Sequence, residues 1–176
     1  MKNLLKKIKR PRLFGCVCFI VCFQVLLFSG YVSLPKILYF NRTPSLPVGI
    51  YCEIPWSPVE KGDLVLVEVP QEIRALVEER EWMKGNELLL KKVGALEGDR
   101  FMINEQRIEV NGNYIGPIYD VDSQKRPMPV LRGEFQVPEG YFLPIATNVP
   151  NSFDGRYFGS VPLTSIKTKV ILLVSL

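Results

Sequence analysis

Residues Leu13 to Leu34 carry no charged side chain, and Gln24 is the most polar among them. Wound into a helix, these 22 residues reach about 33 Å, enough to cross the hydrocarbon core of a bilayer. A cleaved export signal has a shorter apolar core, about 7–15 residues, followed by a small-residue cleavage site. This run is longer and lacks a clean small-x-small pattern before Pro35. We therefore expect a retained transmembrane anchor over residues 13–34. Lys2, Lys6, Lys7, Lys9, Arg10 and Arg12 precede it, and the first acid is Glu53. Cations beside a span are held on the cytoplasmic side. Residues 1–12 are thus expected as a cytoplasmic tail and residues 35–176 as an extracytoplasmic domain.

The formal net charge of +4 belongs to that tail. Without those six cations, 16 basic residues stand against 18 acidic ones. A nucleic-acid surface needs basic residues on a folded face, and none is expected here. The chain contains no histidine. This excludes Ser-His-Asp and Cys-His catalysis and histidine-ligated metals. Of the four cysteines only Cys52 lies beyond the apolar run, so that part has neither an internal disulfide nor a CxxC metal site. No cofactor and no metal are expected. A nucleophile in this chain needs a base other than histidine, and lysine is the known alternative.

Beyond the anchor the chain reads as mostly antiparallel β-structure with one short helix. The segment 36–55 is extended or turn, broken by Pro44, Pro47 and Pro55. Asp63 to Val69 is a β-branched run closed by Pro70, a strand signal. Ile73, Leu76, Val77 and Arg80 share one face of a helix predicted over Gln71 to Met83. Leu88 to Val93 reads as a strand. Phe101 to Ile103 and Arg107 to Val110 flank Asn104-Glu-Gln as a hairpin, and Asn111-Gly112 is a second turn. Gly133 to Val137 and Tyr141 to Ile145 flank Pro138-Glu-Gly140 in the same manner. Lys169 to Leu176 is a terminal strand, too short to span a bilayer as a helix. Gly116 to Pro129 has weak patterning and reads as a loop near a substrate cleft.

Three clusters carry chemistry. The first runs Asn41-Arg-Thr43-Pro-Ser45-Leu-Pro47-Val-Gly49. The second runs Lys91-Lys92-Val-Gly94-Ala-Leu-Glu-Gly98-Asp99. The third runs Ser152-Phe-Asp154-Gly-Arg156-Tyr157-Phe-Gly159. Taken singly they are an ordinary turn, a solvated strand lysine and a surface ion pair. Taken in this order, behind an anchor and in a histidine-free chain, they resemble the Ser/Lys-dyad signal peptidases. The fit is closest to their conjugative-transfer branch, the TraF-type pilin-processing peptidases. Secretory members carry Gly-Asp-Asn-Arg before the last serine, and of that only Asn148 is present here.

The resemblance, spanning about Asn41 to Pro162, implies a signal-peptidase-like β domain on the periplasmic side of a bacterial inner membrane. It implies Ser45 as nucleophile and Lys91, eight residues before Asp99, as general base. Thr43 would supply an oxyanion donor beside the Ser45 N–H, and Ser152 would orient the lysine. Asp154 would either join the catalytic machinery or pair with Arg156 to hold the last cluster. The partner would be an extended precursor peptide, a pilin or a preprotein, with small residues before the cut and conjugation-apparatus proteins nearby. Conjugative members release a C-terminal piece and join the ends into a ring. Water and an amine are both open as resolvers of the acyl-enzyme. A general signal peptidase and a non-catalytic anchored β module of a pilus or secretion apparatus are the alternatives.

An ordinary lysine is charged at neutral pH and cannot accept a proton. Burial disfavours the ammonium and lowers its pKa. Leu88, Leu89, Leu90 and Val93 around Lys91 are expected to supply that apolar surrounding.

Overall fold

Short β-branched and aromatic runs, most of them closed by proline, glycine or asparagine, give strands rather than helices along most of this chain. The computed structural model describes residues 37–176 apart from 84, 86 and 130, together with 15, 17–22, 24 and 25. Most of the expected anchor lies outside the described residues, and those described within it are helical. Among the described residues no helix is long and apolar enough to cross a membrane. The chain divides into the units Met1–Lys36 and Ile37–Leu176, and the second holds all the expected site residues.

Two antiparallel sheets form that unit. The larger has the strand order β1-β2-β11-β3-β4-β9-β10. Its members are β1 (Leu38–Asn41), β2 (Gly49–Glu53), β3 (Leu64–Val67), β4 (Leu89–Leu96), β9 (Tyr141–Ile145), β10 (Val161–Pro162) and β11 (Ile166–Ser175). The smaller has the order β7-β6-β5-β8, from β5 (Arg100–Ile103), β6 (Arg107–Val110), β7 (Asn113–Pro117) and β8 (Gly133–Gln136). The expected β5–β6 hairpin pairs Ile103 with Ile108 across Asn104, whose side-chain oxygen accepts from the N–H groups of Gln106 and Arg107 at 2.9 Å. Leu143 and Ile145 of the large sheet meet Phe101, Ile103, Ile108 and Val110 of the small one in a shared core. Burying each such side chain contributes about 1.5–3 kcal/mol.

Two expectations need correction. The strands either side of Pro138-Glu-Gly140 are not a hairpin. β8 pairs with β5 in the small sheet, whereas β9 pairs with β4 and β10 in the large one. The turn exists, with the Tyr141 N–H donating to the Pro138 carbonyl at 3.1 Å, but it passes the chain from one sheet to the other. The second correction concerns helices. The predicted helix, α1, runs Gln71–Glu79 and buries Ile73 and Val77, but ends short of Met83. Glu81 adopts a positive φ of 56°, which an L-residue takes only in a break. A further one-turn helix, α2 (Gly155–Phe158), forms inside the third cluster.

Candidate active site

The loop between β1 and β2 carries Ser45, and its shape is set by Asn41. The Asn41 amide donates to the carbonyls of Thr43, Leu46 and Pro47 at 2.9, 3.1 and 3.1 Å. Its side-chain oxygen accepts from the Thr43 N–H at 3.1 Å and the Thr43 hydroxyl at 2.8 Å. The Tyr51 hydroxyl adds a bond to the Pro47 carbonyl at 2.7 Å. Gly49 closes the loop where the backbone of β11 passes so near that a Cβ would collide with the Val174 carbonyl. With Pro44 and Pro47 fixing φ on either side of Ser45, the Ser45 loop is held from both ends.

β4 carries the lysine pair. Successive side chains of a strand point to opposite faces. Lys91 turns inward with only 3 % exposure, opposite the fully buried Val65 of β3, while Lys92 is exposed. Leu89 and Val93 share the inward face, packed with Val65, Val67 and Phe142. Leu88 and Leu90 pack elsewhere, around Tyr51, Leu66 and Val170. Of the four apolar neighbours expected to desolvate the amine, the strand pleat therefore leaves two. The amine donates to the Ser152 hydroxyl at 3.1 Å.

The third cluster packs beside it. Asp154 and Arg156 are a buried pair, 0 % and 1 % exposed, where the bare sequence suggested a surface ion pair. Each carboxylate oxygen of Asp154 accepts from the guanidinium, from Nε at 2.9 Å and from a terminal nitrogen at 2.8 Å. The Ala146 and Arg156 N–H groups donate to it as well, at 2.8 and 3.1 Å. Arg156 spends its remaining donors on the carbonyls of Ala146, Pro150 and Pro117. The chain on both sides of Ser152 is thus sewn to one guanidinium. Gly155 lets α2 sit tightly on β9, since a Cβ there would stand 2.7 Å from Leu143 and 2.8 Å from the Pro144 carbonyl.

Burial pushes the Lys91 amine down from 10.5 to about 8, the Asp154 charge pulling it partly back up and Arg156 lowering it further. At pH 7 such an amine is neutral about 9 % of the time, against about 0.03 % for an ordinary lysine. Ser152, by accepting one N–H, fixes the amine's rotation and so the direction of its lone pair.

Ser45 and Ser152 line one cleft of about 240 Å³, with Pro44, Trp82, Phe153 and Tyr157 among its other walls. Among the described residues no hydrogen bond joins Ser45 to Lys91. Such contacts are often open in a site without substrate and close when it binds. Thr43 shares the Ser45 loop, but its one hydroxyl proton is given to Asn41. Asp154 meets Lys91 through its charge and not through a hydrogen bond. Sequence reasoning gave no role to Asn41, although an Asn two residues before a turn hydroxyl is a local capping signal. It gave none to Trp82 or Phe153, which nothing in the local pattern distinguishes from core.

A buried lysine bonded to a serine hydroxyl, which itself lines one cleft with a proline-braced serine, is an arrangement suited to hydrolases that work without histidine. Residues 10–175 match the family described as signal peptidase, peptidase S26, and the chain belongs to that family of serine peptidases. A plasmid transfer protein TraF of Escherichia coli is 31 % identical over 152 residues, covering 81 % of this chain and 84 % of that protein. Another protein of the same description and species is 29 % identical over 184 residues, with 97 % of each chain covered. A conjugal transfer protein TraF of Agrobacterium fabrum is 35 % identical over 135 residues, covering 69 % of this chain and 73 % of its own. A crystal structure of a signal peptidase I from Enterococcus faecalis aligns with 67 % of this chain and 98 % of its own, at 18 % identity and a TM-score of 0.40, too loose to add to the assignment.

Proposed function

We propose that this chain is a membrane-anchored serine endopeptidase that processes a pilin or similar exported precursor in conjugative transfer. Ser45 is the nucleophile and Lys91 the general base. The observation that carries the reading is the buried amine, held at about 8 and bonded to Ser152 beside the cleft that Ser45 lines. The relatives named as plasmid or conjugal transfer proteins support the setting. The uncharged run over residues 13–34 and its cationic flank support an anchor with the catalytic domain outside the cytoplasm.

In the proposed cycle neutral Lys91 takes the Ser45 proton as the serine oxygen attacks the scissile carbonyl. The Ser45 N–H receives the developing oxyanion. The Thr43 hydroxyl joins it only by rotating off Asn41. The lysine ammonium then returns its proton to the leaving amine, and the peptide bond breaks to leave an acyl-enzyme. Neutral Lys91 then takes a proton from water, or from an amine of the precursor, as it attacks the ester, and passes that proton to the Ser45 oxygen as the acyl–oxygen bond breaks. Asp154 acts through Arg156 as the support that keeps Ser152 in place.

The test is co-expression with the candidate pilin precursor and mass spectrometry of the product. Wild type should shorten the precursor, Ser45→Ala and Lys91→Ala should each leave it intact, and Lys92→Ala should process it normally. Normal processing by Lys91→Ala would overturn the dyad.

A further inference from the structure

The cleft beside Ser45 has a second wall that the cycle above does not use. Arg80, just past α1, ties two separate pieces of it together. Its guanidinium stands over the Trp82 ring at 5.1 Å. The same group reaches the loop after β7, bonding the Asp122 carboxylate at 3.3 Å and the Pro127 carbonyl at 2.6 Å. Asp122 is spent within its own loop too, accepting from Arg126 Nε at 2.7 Å and from the N–H groups of Gln124 and Arg126 at 2.9 Å. Although it borders the cleft, its charge is thus matched by Arg80 and Arg126 and is poorly suited to recognising a cation. Trp82 packs on Phe153, ring centroids 4.9 Å apart, and Phe153 follows directly on Ser152. What Trp82, Phe153, Val121 and Met128 offer to the cleft is apolar surface. The volume, about 240 Å³, falls below the roughly 300–1,000 Å³ usual for a small-molecule site. It suits one large side chain.

We propose that this pocket is a specificity subsite for a bulky apolar residue of the precursor near the scissile bond, with Arg80 as the positioning residue that holds its two walls together. The inference rests on the peptidase reading and deepens it. The small residues implied before the cut leave such a pocket without an occupant, so the side chain it takes belongs to another position of the substrate. Each wall depends on Arg80 in its own way. Trp82 is fixed by stacking, and the loop carrying Val121 and Met128 is fixed by Asp122 and the Pro127 carbonyl.

The experiment profiles full-length enzyme in detergent on an equimolar mixture of synthetic peptides of varied sequence, with products read by mass spectrometry. Wild type should enrich leucine, phenylalanine or methionine at one fixed position near the cut. Trp82→Ala and Arg80→Met should each lower that enrichment at least fivefold, leaving the preferences at the other positions in place. Because these are ratios within one reaction, a loss of folded enzyme does not move them. Met128→Ala, on the loop, supplies the same readout should either variant fail to fold. A wild-type profile with no bulky apolar position, or an enrichment unchanged in the variants, overturns the subsite alone. Absence of any Ser45-dependent cleavage by wild type overturns the peptidase reading, and the subsite with it.

Discussion

Replacing Lys91 by methionine should make the folded protein more stable at neutral pH. The amine is 3 % exposed and is held at about 8 against an ordinary 10.5. A difference of that size corresponds to about 3 kcal/mol. The sign follows from linkage. The folded-state pKa lies below the unfolded one, so between about 8 and 10.5 the unfolded chain binds the extra proton. Below about 8 the fold bears the full cost of an unwelcome charge, and that cost fades as pH rises toward 10.5. Methionine removes it. The substitution also strips Ser152 of its donor, a loss of about 1 kcal/mol that does not depend on pH. The variant should therefore exceed wild type by about 2 kcal/mol at pH 7 and fall slightly below it near pH 10.5. Urea unfolding of both full-length proteins in detergent, followed by tryptophan fluorescence at pH 7 and pH 10, measures the difference. Tyrosines and other lysines titrate in both proteins and cancel. A difference that stays constant between the two pH values would refute the buried-charge account.

Asp154→Asn should lose about 3–5 kcal/mol of stability, because Arg156 would be left buried without its counter-charge. In the fraction that folds, the pH at which activity appears should move down, since the Asp154 charge is what raises the lysine, and a pH–rate profile reads that shift. Asn41→Ala removes five hydrogen bonds from the Ser45 loop and should cut kcat about tenfold or more, with the pH limb unmoved. Thr43→Val should cost less than about tenfold in kcat, because its proton serves Asn41; a loss of about 10²–10³ would mark it as an oxyanion donor.

The residue types and their order carried the family into view, and local pattern carried many of the strands. Spacing from Asp99 singled out Lys91 over Lys92, and strand alternation places the first inward and the second in solvent. The Asn104 turn followed equally from local chemistry. What was not legible depends on partners distant in sequence. Nothing near Tyr141 says that its strand leaves the neighbour at Gly133 to pair with β4. Leu88 and Leu90 look like the lysine's shield until the pleat turns them to the opposite face. The burial of Asp154 with Arg156 arises from carbonyls at Pro117, Ala146 and Pro150, which converge only in the fold. The 116–129 segment showed no period because an ionic clasp, and not an apolar stripe, holds it.

The most direct test is the rate at which a serine-reactive probe labels Ser45 as a function of pH. With Lys91 as the base, the rate should climb tenfold per pH step, level off near pH 8, and stand about 100-fold below its plateau at pH 6. Labelling should vanish in Lys91→Ala and keep its profile in Lys92→Ala. A rate still climbing beyond pH 10, or undiminished labelling in Lys91→Ala, would contradict the claim that this buried amine activates the serine.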